Sequence, residues 1–510
     1  MTRSKEIMSS SALKLAALSH LISSSLLLIL PFEASLAASA GTFFVKSKTD
    51  CRFSGNGQVD ACATAPGAPG VWRGGLSIEF GESNGKVHDG DTVYFTGNWI
   101  GIDAAEGGET YEITARGSGS IGKPIVFDFS RATINCKHQV QRGISIGAFH
   151  HYTLREPTIR ACGTSSGYGI SVDGAVATFD LSVNIESPRI FDTSGTDGGA
   201  IAIRGKGANI VVHNPRIDGV SDDGIWIDGD DASTYCDQND GVTCYIKNVG
   251  LGVGLTGDCV QYGATPTVSL NGSIKRVFCD HRSEQEKQCF ITNGLGMLTV
   301  SDSVCLMPSF DGVTLSNGIY AEGTLTALRN FIDGGRIGIC SAMLAGSTGR
   351  NNTIVSNIIR GSGFRAISIG AETLASATTD IFHNAIKCGV TRGTSGIYLD
   401  GRAGSVINIK NNSLIGCDIA YAGLGQHIVE SIAFNNDYLS NTRFKSVANG
   451  GNNSTKDPQL VGGATPTSSD DFRPRSGSPL LHTGTCIAEL LDFSGNPIRC
   501  SPVIGPLDLQ

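Results

Sequence analysis

Tryptophan, methionine, an excess of basic charge and metal-knuckle spacings are what this chain has little of. It holds 3 tryptophans and 5 methionines in 510 residues, and no long stretch shows apolar residues at helical spacing. Without that period of 3.6 an amphipathic helix has no face to bury, which sets a helical bundle aside. Basic residues do not outnumber acidic ones: 39 against 47 give a net charge of −8. Nucleic acid wants a basic face, so that class of partner is excluded. No C-x-x-C and no His–Cys ligand spacing occurs among the 15 cysteines, which argues against a zinc module. Beyond the N-terminus no apolar run approaches the length of a membrane span.

The N-terminus is the one greasy segment. Arg3, Lys5 and Lys14 precede an apolar run from Leu15 to Phe32, and Ala34-Ser35-Leu36-Ala37-Ala38-Ser39-Ala40 follows. A basic start, a short apolar core and an A-x-A-like end describe a signal peptide over 1–37, so the mature protein is expected outside the cytoplasm. The first 37 residues carry three basic and two acidic groups, and losing them takes the charge from −8 to −9.

What the chain has in quantity is glycine, 67 of them, and a repeat. A short apolar-x-apolar strand, usually after a small residue, returns as Ile144-Ser145-Ile146, Ile170-Ser171-Val172, Ile201-Ala202-Ile203, Ile225-Trp226-Ile227 and Val260-Gln261-Tyr262. It continues as Phe290-Ile291-Thr292, Val313-Thr314-Leu315, Ile339-Cys340-Ser341, Ile367-Ser368-Ile369 and Ile397-Tyr398-Leu399, with starts 23 to 35 residues apart. Alternation at period two buries one face of each strand and wets the other. One such strand per coil, with turns of unequal length, predicts an all-β fold: a right-handed parallel β-helix solenoid of about ten to twelve three-strand coils. The leucine–asparagine consensus of leucine-rich repeats is missing. A second register supports this reading. Asn330, Asn357, Asn384 and Asn412 recur at 27, 27 and 28 residues, the spacing of a stacked amide ladder. The expected layout is 38–130 for an N-terminal cap and first coils, 131–445 for the central helix, and 446–510 for a C-terminal cap.

Aligning the coils pairs the cysteines. Cys136–Cys162, Cys259–Cys289, Cys279–Cys305 and Cys388–Cys417 fall at like positions of adjacent coils, about 4.8 Å apart, within the reach of a disulfide. Cys51–Cys62, Cys236–Cys244 and Cys486–Cys500 are expected as local staples, leaving Cys340 as the single thiol. Disulfides on this scale belong to an oxidising compartment.

Candidate chemistry gathers on consecutive coils. The residues two before each strand read Arg142, Tyr168, Gly199, Asp223, Asp258, Gln288 and Asp311, and the outward residues one place after the strands read Asp173, Arg204 and Asp228. Trp226 and Gln261 also point outward. Turns 229–256 and 264–287 are expected to wall a groove beside them. Asp230-Asp231 read as a solvated turn and His150-His151 as surface or core. Against any functional reading stands the bland one, that Asp-Gly pairs turn the chain.

The two ends of the mature chain resemble bacterial pectate-lyase-like β-helix proteins. The residues are Thr42-Phe43-Phe44-Val45, Asp89-Gly90-Asp91-Thr92-Val93-Tyr94-Phe95 and Gly122-Lys123-Pro124-Ile125-Val126-Phe127 at the start. At the end they are Asp457-Pro458-Gln459-Leu460, Asp471-Phe472-Arg473-Pro474, Gly477-Ser478-Pro479-Leu480 and Asp492-Phe493-Ser494-Gly495-Asn496-Pro497. Ser221-Asp222-Asp223-Gly224 followed by Gly257-Asp258-Cys259 is similar to the paired N-T-D and D-D-C motifs of polygalacturonases. By that resemblance Asp223 and Asp258 are the matching carboxylates. Gly257 stands in place of the family's acid, and Gln288 in place of its histidine. An inverting hydrolase would then need its proton donor from Asp222 or Asp228.

The lyase resemblance implies β-elimination from a uronate-containing glycan. Asp223, Asp228 and Asp258 would hold Ca²⁺, with Arg204, Arg282 or Lys287 as base. Trp226, Gln261, Asp173 and Gln288 would bind substrate. The readings that stay open are lyase, hydrolase, another activity such as epimerisation, and a non-catalytic glycan-binding or surface-structural solenoid. In each the partner is an extracellular polysaccharide met by a monomer, without nucleic acid or a membrane span.

Overall fold

Short β-branched strands separated by glycine, asparagine and serine corners give the backbone no helix to form, and it coils. The computed structural model describes residues 40–507, except 82–85, 102–103, 107–108, 165–166, 175–181, 196–197, 206–208, 230, 253–256, 264–270, 283–287, 314, 343–350, 371–377, 390–392, 401–405, 424–431, 435–436, 440–441, 446–447, 452, 464, 488 and 501. The expected signal peptide lies outside the described residues. Residues Ala40–Gln510 cluster as one compact unit.

The unit is a right-handed parallel β-helix of about 11 turns. One face is a 14-stranded sheet, and the other strands of each coil belong to a 27-stranded sheet. Nearly all pairings are parallel, with the hairpin Ala104–Glu106 and Glu109–Thr114 an antiparallel exception. The smaller sheet contains the expected strands in the expected order, among them Tyr168–Gly174, Ile201–Gly205, Ile225–Asp228, Asp258–Tyr262 and Gln288–Thr292. Their apolar residues meet in register inside: Ile170, Ile201, Ile225, Val260 and Phe290 are all fully buried. Each interior layer so formed removes several aliphatic side chains from water, at about 1.5–3 kcal/mol apiece.

One expected strand is displaced. The next member of the sheet is Asn317–Ala321, not 313–315, and Ile319 takes the inward position beside Phe290. Val313 and Leu315 are 80% and 58% exposed on the preceding turn. Both segments carry the apolar-x-apolar pattern after a glycine. What selects the second is close packing: a Cβ on Gly318 would lie 2.5 Å from the Gly338 carbonyl oxygen. The expected lip residue Asp311 is accordingly replaced by Asn317.

The asparagine ladder is present. The Asn330 side chain donates to Asn357 Oδ1 at 3.0 Å, Asn357 to Asn384 at 3.0 Å, and Asn384 to Asn412 at 2.9 Å. Each amide also donates to carbonyls of its own or a neighbouring coil, which satisfies polar groups that water does not reach.

Seven disulfides form, and five are the expected ones: 51–62, 136–162, 236–244, 388–417 and 486–500. The other two differ. Cys259 bonds Cys279 and Cys289 bonds Cys305, with Cα separations of 6.1 and 5.9 Å. Cys279 and Cys305 are indeed neighbours in register. The side chains, however, reach across the interior of their own coil, where position-matching between coils had paired them up the stack.

Cys340 is left as the thiol, and burial pushes its pKa up to about 11. One slowly alkylated cysteine per unreduced chain is therefore expected, with a rate that climbs with pH toward 11 as thiolate accumulates. Mass-spectrometric counting of labels checks this, and two or more rapid labels would refute the disulfide scheme.

The C-terminal segment folds back along the larger sheet. Leu460, Phe472, Leu480, Val503 and Ile504 cover Ile358, Ala385 and Ile415 in a second apolar cluster. Buried His383 contributes a ring nitrogen to the Gly505 carbonyl oxygen (3.3 Å), which ties the segment down.

Candidate active site on the smaller sheet

The outer face of the smaller sheet brings Asp223 and Asp258 together. Each sits at the corner entering its strand, so coil stacking sets their backbones about 4.8 Å apart. Both are buried, at 9% and 3% exposure. The Asp258 backbone N–H donates to Asp223 Oδ1 (2.7 Å), and the Gln288 N–H donates to Asp258 Oδ1 (3.2 Å). The column continues as Gln288 and Asn317, whose side chains are linked at 3.0 Å. One oxygen of each carboxylate is thus held by backbone, and the other is turned toward Gln261.

Gln261 stands over the pair. With its nitrogen toward the carboxylates it donates to Asp258 Oδ2 at 3.1 Å and Asp223 Oδ2 at 3.2 Å, while its oxygen accepts from Asn293 at 3.2 Å. Turned the other way, its oxygen faces the two carboxylate oxygens and its nitrogen donates to the Gly263 carbonyl at 3.3 Å, so the nitrogen-inward orientation is the one that satisfies the protein's own groups. Two carboxylates and an amide oxygen are donors of the type a hard divalent cation takes, so a bound cation would require the Gln261 amide to turn its oxygen inward.

Asp228 does not join them. It lies five residues along the strand from Asp223, about 16 Å in extended chain. Its register partner is Arg204. Arg204 is exposed, has no carboxylate partner among the described residues, and lies with its guanidinium carbon 4.5 Å from the Trp226 ring centre. A surface pocket here is lined by Arg142, Tyr168, Asp173, Arg204 and Trp226, among others. Arg142 donates to Ser171 at 3.4 Å within it. The floor therefore offers two guanidiniums, a carboxylate and two rings, next to the Asp223–Asp258 pair.

Arg282 is placed elsewhere. It follows Phe278–Asp280 of the larger sheet and is held by Asp280 in a two-pronged ion pair at 2.9 and 2.6 Å. Lys287 lies outside the described residues. The stretches 229–256 and 264–287 are not simple walls, since they contain the strands Asp231–Tyr235, Tyr245–Lys247, Asn271–Lys275 and Phe278–Asp280 that complete their coils. Ala232, Thr234, Ile246 and Ile274 face inward there, a period-two pattern masked by the polar residues between them.

Sequence reasoning missed two groups. Glu322 is half-buried on the same sheet; burial raises its pKa, and Tyr320 donates to it at 3.3 Å. Inside the coil, Cys259, Cys279 and His281 bring ligand-type atoms within 4.8 Å of one another. Both sulfurs belong to one disulfide, so they are not thiolate ligands as they stand. The C-x-H spacing of Cys279 and His281 is the signal that would have found the second group.

No family model matches this chain, and no curated protein matches it. Among solved structures it is similar to the crystal structure of pectate lyase Pel9A, over 92% of this chain and 98% of that one, at 12% identity and a TM-score of 0.40. That likeness is one of coiled architecture alone.

Proposed function

We propose that this protein is an extracellular polysaccharide-degrading enzyme that cleaves a uronate-containing glycan by β-elimination on the outer face of its smaller sheet. The observation that carries the reading is the stacking of the buried Asp223 and Asp258 carboxylates under the Gln261 amide, beside the Arg204–Trp226 pair. Seven disulfides, and the lack of a long apolar helix among the described residues, are compatible with an extracellular location.

Trp226 offers a flat apolar surface for a sugar ring, with Arg204 laid against it. Arg142 supplies a second guanidinium suited to a substrate carboxylate. Asp223, Asp258 and Gln261 would hold a calcium ion, which when bound supplies the positive charge that acidifies the proton α to the uronate carboxylate. Arg204, on the open face beside the Trp226 ring, would be the base that takes that proton from C5 while the C4–O bond breaks and solvent protonates the departing glycosidic oxygen. Asp173 and Asp228 flank it in register and would orient it.

A second reading rests on Gln261 with its nitrogen inward. The two carboxylates are then satisfied by protein donors, and the column is a structural ladder on a glycan-binding solenoid. One experiment separates the two. A panel of uronate polymers is incubated with the protein, with and without a calcium chelator, and unsaturated product is followed by ultraviolet absorbance. Chelator-sensitive absorbance on one member is expected. Binding without any product, with calcium or without, would establish the second reading. On the active polymer Trp226→Ala is expected to raise KM about tenfold with a smaller change in kcat, the effect of losing one stacked ring. An unchanged KM would remove Trp226 from the binding surface.

A further inference from the structure

Four coils beyond Asp258, the same register carries the opposite charge. The lip position runs Asp258, Gln288, Asn317, Ile337, Arg365, and the outward strand position runs Gln261, Ile291, Tyr320, Cys340, Ser368, Tyr398. At about 4.8 Å per coil, Arg365 lies roughly 19 Å along the face from the aspartate pair.

The residues there are arranged for a ligand. The Arg365 guanidinium carbon is 3.3 Å from the Tyr398 ring centre and 4.5 Å from that of Phe364, and the side chain donates to Ser368 at 3.2 Å. Arg336 approaches the same Phe364 ring at 5.0 Å and has no carboxylate partner among the described residues. Arg336 immediately precedes the strand Ile337–Ser341 that carries Cys340, and Arg365 opens the paired strand of the next coil, so both guanidiniums lie near that thiol. Rings fix the planes of the two cations, so a carboxylate arriving above Cys340 meets donors already oriented.

We infer that Arg336, Phe364, Arg365 and Tyr398 form a second carboxylate-binding station, which grips another uronate of the same glycan chain several sugars away from the Asp223–Asp258 centre. This rests on the proposed uronate substrate and deepens it: the enzyme prefers long, repeatedly charged chains to short ones. A neutral glycan has nothing to offer two guanidiniums, and a single uronate cannot span the distance between the two centres.

Cys340 is a built-in reporter of the station. Alkylation of the thiol is timed in Asp258→Asn protein, which slows turnover, with long and short oligomers of a uronate panel and with carboxyl-reduced, neutral counterparts. A long uronate oligomer is expected to slow alkylation about tenfold, and the short and neutral ones to leave it unchanged. Arg336→Ala alters the thiol's own rate by removing a nearby cation, so the ratio with and without oligomer is the measure, and it should fall to about one. In otherwise wild-type protein, Arg336→Ala should raise KM for long oligomers about tenfold and leave short ones unaffected. Equal protection by the neutral polymer, or cleavage of long oligomers with neither protection nor an Arg336 effect, overturns the station. Protection without cleavage anywhere overturns the lyase reading and leaves the station standing.

Discussion

Asp223→Asn and Asp258→Asn are each expected to lower glycan cleavage by about three orders of magnitude while the fold survives. Asparagine keeps an oxygen where Asp223 Oδ1 accepts the Asp258 N–H, and where Asp258 Oδ1 accepts that of Gln288. The column's hydrogen bonds are therefore retained, and what disappears is negative charge at the point faced by Gln261. Alanine is the blunter change: it strands a buried N–H, at about 1–3 kcal/mol, and mixes a stability loss into the rate. The measurement is kcat on whichever uronate polymer the wild type degrades, beside a thermal melt of each variant. Calcium affinity, read by calorimetry, should fall in step with kcat. Full activity in both variants would move the active site elsewhere and leave the Asp-Gly corners as turns.

The second large effect concerns stability. Asn357→Ala is expected to destabilise the protein by about 4 kcal/mol, seen as a lower urea midpoint. Asn357 is fully buried. Its Oδ1 accepts from both the backbone and the side chain of Asn330, and its Nδ2 donates to the carbonyls of Ala327 and Val355 and to Asn384. Alanine fills none of these roles and leaves partners on three coils without water to replace it. A midpoint unchanged from wild type would show that the ladder is ornamental. Asn351, exposed and six residues upstream with one solvent-exposed bond from the Thr378 N–H, is the control: its alanine variant should change the unfolding free energy by less than about 0.5 kcal/mol.

Much of this architecture could be read from residue order, because a coil leaves two independent marks. Ile170, Ile201, Ile225 and Val260 are marked by alternation, and Asn330, Asn357, Asn384 and Asn412 by spacing. Where only one mark was available the reading slipped. Val313-Thr314-Leu315 alternates as well as Ile319-Tyr320-Ala321 does. Only the packing of Gly318 against the next coil tells them apart. The exchanged partners of Cys259, Cys279, Cys289 and Cys305 have the same origin, since coil position says which cysteines are near but not which way their Cβ atoms lean.

At the candidate site, the nearness of Asp223 and Asp258 was legible from their shared position. The role of Gln261 was not, because it depends on a side chain reaching back over the lip. Arg282 illustrates the opposite error. Nearness in sequence to the site's coils did not reveal that Asp280, two residues away, would hold it on the far sheet.

The stacking of Asn330 on Asn357 and Asn357 on Asn384 also bears on how such a chain changes length. Along the smaller sheet each strand here pairs with the coil before and the coil after, so that face repeats coil by coil, while the larger sheet also carries the C-terminal segment. Copying one rung-to-rung segment within 330–412 would insert a coil, lengthen the molecule by about 4.8 Å, and require the C-terminal segment to re-seat on the larger sheet. Inserted between Asp258 and Arg365, the same segment would separate the two charged centres by one further step. On the proposed reading, the spacing between charges on a glycan that would suit this surface is set by a count of coils, and a single in-frame duplication would reset it.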